Sequence, residues 1–148
     1  MSPKLTVLKL GGSVITKKEK LFTANLSAIR RLAGEISDAK VSQLIIIHGG
    51  GSFGHPLAKK YSIKEGYKGG DVQLLGFSET HQAMVTLNKL VVDALIHHNI
   101  PAVAVSPSSC IVTKSGRIIT IVEEPLRKLL QTGFVPVLHG DAVLDLSL

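Results

Sequence analysis

Two short β-rich runs, each stopped by consecutive glycines, limit what this chain can fold into more than any other feature. Leu5 to Leu10 runs into Gly11-Gly12-Ser13, and Leu44 to Ile47 runs through His48 into Gly49-Gly50-Gly51. Strands that end in glycine turns and feed helices build parallel sheets, whose ligands collect at the carboxyl ends of the strands. Between the two runs, Leu26, Ile29, Leu32, Ala33 and Ile36 recur at helical spacing from Thr23 to about Asp38, and Thr23 is available as the N-cap.

The same order continues downstream. From Asp71 to His98, Phe77, Met84, Leu87, Val91 and Leu95 share one face of a long helix, with Glu79, Gln82 and Lys89 on its polar side. Asn99 and Pro101 end it, and Ala102 to Val105 resumes as strand. Two β-rich runs flank Lys114-Ser115-Gly116-Arg117 and predict a hairpin; Glu123 to Gln131 reads as helix and Phe134 to Leu138 as a buried strand. The expected architecture is a three-layer αβα sandwich with a mainly parallel sheet, spanning residues 1–148 as one unit.

A chain of 148 residues can bury a core without disulfides or metals. Its lone Cys110 cannot form an intrachain disulfide, which suits a reducing compartment. No apolar run approaches the roughly 20 residues that cross a bilayer, and the segment from Met1 to Lys9 lacks the long apolar run of a signal peptide, so the expected place is the cytoplasm, away from membranes. An excess of 17 Lys and Arg over 11 Asp and Glu favours an anionic partner. No basic stripe interleaved with aromatics is present, so nucleic acid is not the expected one. Lys17, Lys18 and Lys20 instead cluster just after the first glycine turn, where a small phosphorylated ligand explains them better.

Glycine turns let backbone amides approach phosphate oxygens, and a nearby lysine adds a compact positive charge. For Gly11-Gly12-Ser13 alone, a plain tight turn with solvated lysines is the favoured reading. The second turn says more. Gly49, Gly51 and Gly54 formally satisfy the dinucleotide pattern GxGxxG, but the acidic residue expected about 20 positions later is absent: Asp71 follows the Lys68-Gly69-Gly70 turn. No GxxxxGK[ST] phosphate loop occurs.

Three segments in this order, KLGGS from Lys9, HGGGSFGHP from His48 and FVPVLHGD from Phe134, resemble the amino acid kinase family. The histidine directly after GGGSFG narrows the resemblance to the isopentenyl phosphate kinase branch and its fosfomycin-kinase relatives. Aspartate kinases would read closer to KFGGTS, and acetylglutamate kinases closer to HGGGP without the second histidine.

The resemblance implies ATP-dependent phosphorylation of isopentenyl phosphate to isopentenyl diphosphate, with ATP and Mg2+ as the implied co-substrate and ion. A homodimer is compatible with it. His55 matches the histidine that hydrogen-bonds the acceptor phosphate, with Gly50, Gly51, Ser52 and Gly54 around that phosphate. Lys9 and Lys18 match lysines on the donor phosphates, with Gly11, Gly12 and Ser13 beside them. The long helix would wall an isoprenoid pocket, giving Phe77, His81 and Asp141 as candidate lining residues. No His, Cys or carboxylate cluster has metal-ligand spacing, so no protein metal site is expected.

Full family members continue into a second, nucleotide-binding half, which this sequence does not contain; it looks cut after Leu144-Asp145-Leu146-Ser147-Leu148. The expectation is an acceptor-binding lobe that is a poor catalyst alone. The rival readings are another phosphotransferase of the same family, such as a fosfomycin kinase, and a non-catalytic anion-binding fragment.

Overall fold

The computed structural model describes residues 2–147 and arranges four parallel strands in the order β1 (Leu5–Leu10), β2 (Gln43–His48), β6 (Val135–His139) and β3 (Ala102–Ala104). Helix α2 (Leu26–Ala39) joins β1 to β2, and α3 (Gly51–Lys60) with α4 (Asp71–His97) joins β2 to β3. A separate antiparallel hairpin, β4 (Ile111–Lys114) and β5 (Arg117–Ile121), and then α5 (Glu124–Thr132), connect β3 to β6. A single helical turn, α1 (Gly12–Ile15), follows β1.

Right-handed crossovers explain the layers. The connections through α2 and through α3–α4 advance across the sheet in one direction and lie on one face, where α2 and α3 pack on α4. The connection from β3 back to β6 reverses direction and sends α5 to the other face, where it touches β6. The third layer is therefore thin. Beyond β6 that face is open: Leu5, Val7 and Lys9 of β1 and Ile47 of β2 are exposed, whereas Leu10, Leu44, Ile46 and His48 on the opposite face are buried.

The core lies between that buried face and α4. Met84, Leu87, Val91 and Leu95 of α4 are each at most 2% exposed and meet Ile46 of β2 and Val137 of β6. These are the positions read as one helical face from their spacing. Phe77, at the start of the same series, is only half buried.

Pro136 sits inside β6, a central strand, at no cost to the ladder. The Val135 amide donates to Pro101 O at 3.0 Å on the β3 side, so the next nitrogen faces β2. The β2 ladder begins only one residue later, at Ile46 and Val137.

The cap of α2 differs from expectation. Asn25, not Thr23, caps it, its side-chain oxygen accepting from the Ala28 amide at 3.3 Å. Thr23 is engaged elsewhere: the chain is still extended there, with Thr16 bridging Ala24, and the Thr23 hydroxyl donates to Leu21 O. A larger difference is the stretch after Gly50, read as loop, which is helical from Gly51 onward.

Gly76 lets α3 approach α4. A Cβ at Gly76 would lie 2.2 Å from Cγ of Tyr61, whose hydroxyl donates to Glu79 at 2.7 Å. Gly76→Ala is expected to displace the ring and destabilise the fold by about 1–3 kcal/mol, read as a lowered midpoint in urea unfolding.

Candidate active site

Strand register brings three turns to one level. Leu10 pairs with His48 and His48 with His139, so β1, β2 and β6 end together. The Gly49 amide donates to Leu10 O and the Gly140 amide to His48 O, both at 3.0 Å. The first two turns are in backbone contact: a Cβ on Gly12 would fall 2.4 Å from the Gly51 nitrogen. Gly51 itself has φ +48° and could hold a side chain only 2.0 Å from the Thr16 hydroxyl oxygen.

Two adjoining clefts open beside these turns. The smaller, about 150 Å³, lies against Gly50, Gly54 and His55 of the α3 entry, Met84 of α4 and the Gly140-Asp141 turn. The larger, about 830 Å³, has an apolar stretch made by Leu74 and Phe77 of α4, Tyr67, Val143 and Leu144, bordered by polar side chains that include Gln73, Thr113 and Asp145. Ile63, Asp141 and Ala142 border both. A pocket with an imidazole at one end thus leads into an apolar trough.

His55 stands one turn into α3, exposed, at the edge of the smaller cleft. Gly54 faces inward onto Met84, whose sulfur would be 2.6 Å from a Cβ at that position. The buried Met84 therefore seats the helix that carries His55.

Ser52 is not free for a phosphate. It is buried, its amide donates to Thr16 Oγ1 at 3.0 Å and its hydroxyl to Thr23 O at 3.3 Å, so it fastens α3 to the loop after α1. His81 lines neither cleft. Its Nδ1 donates to Asp141 Oδ1 at 2.7 Å, behind the cleft wall. The Asp141 side chain is fully buried and also accepts from the Ser108 amide at 3.0 Å. Phe77 lines the larger cleft; Lys9, Ser13 and Lys18 are exposed outside both clefts, and Gly11, Gly12 and Gly51 form the turns themselves.

Beneath the turns lies a layer of buried polar groups. His48 is 1% exposed, with Nε2 2.8 Å from Asn88 Oδ1 and Nδ1 3.0 Å from Gly49 O. Loss of hydration on burial outweighs these contacts and lowers the His48 pKa below the ordinary 6.5. His139 repeats the backbone contact on β6, Nδ1 donating to Gly140 O at 2.8 Å, but its Nε2 is buried without a hydrogen-bond partner among the described residues; the two rings are 5.7 Å apart. Burial, aided by the Asp141 charge, pushes the Cys110 thiol up, so it is protonated near neutrality and a poor nucleophile. Among the described residues no three His, Cys, Asp or Glu side chains gather as a metal cage. No described helix is long and apolar enough to cross a membrane.

The family follows from comparison. Residues 4–147 match the amino acid kinase family model. This chain belongs to that family. It is 39% identical to the isopentenyl phosphate kinase of Methanocaldococcus jannaschii, over 95% of this chain and 57% of that relative. It is 41% identical to that of Methanothermobacter thermautotrophicus, over 95% of this chain and 54% of the relative. A crystallographic isopentenyl phosphate kinase superposes with a TM-score of 0.90 at 41% identity, covering 97% of this chain and 59% of that one. The chain thus spans little more than half the length of the relatives it matches.

Asn88, Ile63, Ala142 and Leu144 were not singled out by sequence reasoning. Asn88 sits on the apolar face of α4 between Met84 and Val91; Ile63 belongs to a single 3-10 turn, and Ala142 and Leu144 to the segment after β6, none with a periodic pattern.

The buried His48 makes a pH prediction. The unfolded chain takes up this proton near 6.5, while the folded site resists it to lower pH, so the contribution to stability is fully present above 6.5 and is lost as pH falls toward the lowered folded value. Melting temperature should decline from pH 7 to pH 5, and His48→Gln should flatten that decline.

Proposed function

We propose that this chain is the acceptor-binding part of a kinase that transfers the γ-phosphoryl group of ATP to isopentenyl phosphate, giving isopentenyl diphosphate and ADP. The observation that carries this reading is the junction of the two clefts. A phosphate head fits the small cleft beside His55, Gly50 and Gly54, and an apolar tail extends along Phe77 into the trough. The names of the relatives above support the same acceptor.

In this mechanism the acceptor phosphate oxygen attacks the γ-phosphorus of ATP in line, and the β–γ bridging oxygen leaves with ADP. A loose transition state spreads charge over the equatorial oxygens, so the protein's part is positioning and neutralisation. His55 donates a hydrogen bond to the acceptor phosphate. The glycine turns allow close backbone approach, and Lys9 and Lys18 meet the donor phosphates. Magnesium enters as the ATP complex. Asp141 supports the turn after β6, its two carboxylate oxygens accepting from His81 and the Ser108 amide.

Isothermal titration with isopentenyl phosphate tests the reading. The chain should bind it without ATP, and His55→Ala should weaken binding by about 30-fold, the loss of one charge-assisted hydrogen bond of about 2 kcal/mol. A phosphoryl-transfer assay of this chain extended by a second half, with isopentenyl phosphate against fosfomycin, then identifies the acceptor. Turnover of neither would defeat the proposal.

A further inference from the structure

One wall of the large cleft lacks packing of its own. The β4–β5 hairpin contributes Thr113, Ser115 and Gly116 to that wall, yet every residue of β5 is exposed, and Ile118 and Ile119 are 58% and 51% exposed. An isolated two-stranded hairpin is marginal in water. Its tip is also conformationally demanding: Ser115 and Gly116 both have positive φ, 50° and 73°. Something else must hold it in place.

Much of that hold comes from one carboxylate, which itself borders the cleft. Asp145 accepts from the amides of Ser115 at 3.0 Å and Gly116 at 2.8 Å, and from the Thr113 hydroxyl at 2.9 Å. On its own side of the contact it accepts from the amide and hydroxyl of Ser147. The flanking backbone joins in: the Thr113 amide donates to Leu144 O at 3.0 Å and the Leu146 amide to Thr113 O at 2.8 Å. The Ser147 hydroxyl, then the Gly116 and Ser147 amides, hold the carboxyl well below the usual carboxylate range, so it is ionised at neutral pH. The opposite wall has a counterpart in Gln73, which accepts from the Lys68 amide at 2.8 Å and donates to Gly66 O at 2.8 Å.

We propose that Asp145 is a positioning residue for the acceptor: by fixing the hairpin tip it holds the far wall of the apolar cleft, and so sets affinity for the acceptor's tail without touching its phosphate. This rests on the acceptor reading above. The role predicts a separation of effects, because the seat at His55 is built by α3, α4, Ile63 and the turn at Gly140, Asp141 and Ala142 and takes no residue from the hairpin.

The test uses the present chain with Asp145→Ala and Asp145→Asn. Amide hydrogen exchange reads the tip, and titrations with isopentenyl phosphate and with inorganic phosphate read the two parts of the site. In Asp145→Ala the Ser115 and Gly116 amides should lose protection, and isopentenyl phosphate should bind about tenfold more weakly while inorganic phosphate is unaffected. Asp145→Asn, which keeps one acceptor oxygen, should fall between, and it carries the comparison if the alanine variant does not fold. Unchanged protection at the tip, unchanged affinity for isopentenyl phosphate, or equal weakening of both ligands would each overturn the inference. A parent chain that binds inorganic phosphate but not isopentenyl phosphate refutes the acceptor reading itself and this inference with it, a result distinct from a parent that binds and a variant that binds equally well.

Discussion

The contact on which the site depends is between two stretches of backbone. Gly12, after β1, and Gly49 and Gly51, after β2, lie against one another so closely that no Cβ fits at Gly12 or Gly51. Parallel pairing in register brings the two strand ends to the same height, and the absence of side chains lets the turns touch. The start of α3 is set by that contact, with Thr16 receiving the Ser52 amide and Met84 filling the space beneath Gly54. His55 owes its place to this arrangement, one turn along a helix whose origin is fastened on two sides.

Under the turns, polar groups are buried where hydrocarbon would pack more simply. His48 and His139 occupy equivalent positions at the ends of adjacent strands and bond the carbonyl of the glycine that follows. Asn88 reaches His48 from α4, and His81 reaches Asp141 from the same helix. One long helix therefore supports both the second and third turns through side-chain hydrogen bonds. A partner removed from such a pair leaves a buried polar group unsatisfied, which costs about 1–3 kcal/mol. The carboxyl ends of the strands are held by this chemistry, while the middle of the sheet is held by Ile46, Val137 and the apolar face of α4.

Much of this was legible in the chain itself. The spacing of Met84, Leu87, Val91 and Leu95 marked the buried face of α4, and the glycine runs marked the strand ends that converge. The hairpin about Ser115-Gly116 followed from its turn residues. Three readings failed for local reasons. Thr23 has the chemistry of a cap, but its backbone is still extended and Asn25 is the residue at the helix entry. Ser52 has the chemistry of a phosphate ligand, but Thr23 and Thr16 take up its hydrogen bonds. His81 shares a helix face with Phe77, yet one turn further along α4 it meets Asp141 and supports the turn that borders the cleft rather than lining the cleft itself.

By itself the sequence determined the alternation of strands and helices, the family and the residue types at the strand ends, because these rest on periodicity, glycine runs and contiguous motifs. Tertiary structure decided which of those residues face the ligand. The clefts are bordered by Ile63, by the Gly140-Asp141 turn and by a hairpin tied to Asp145, elements distant in sequence and without periodic pattern. Their meeting depends on the order of strands in the sheet and the handedness of the crossovers, which place the end of β6 beside that of β2. A motif names the chemistry available; only the packed chain shows which hydrogen-bonding groups are already engaged.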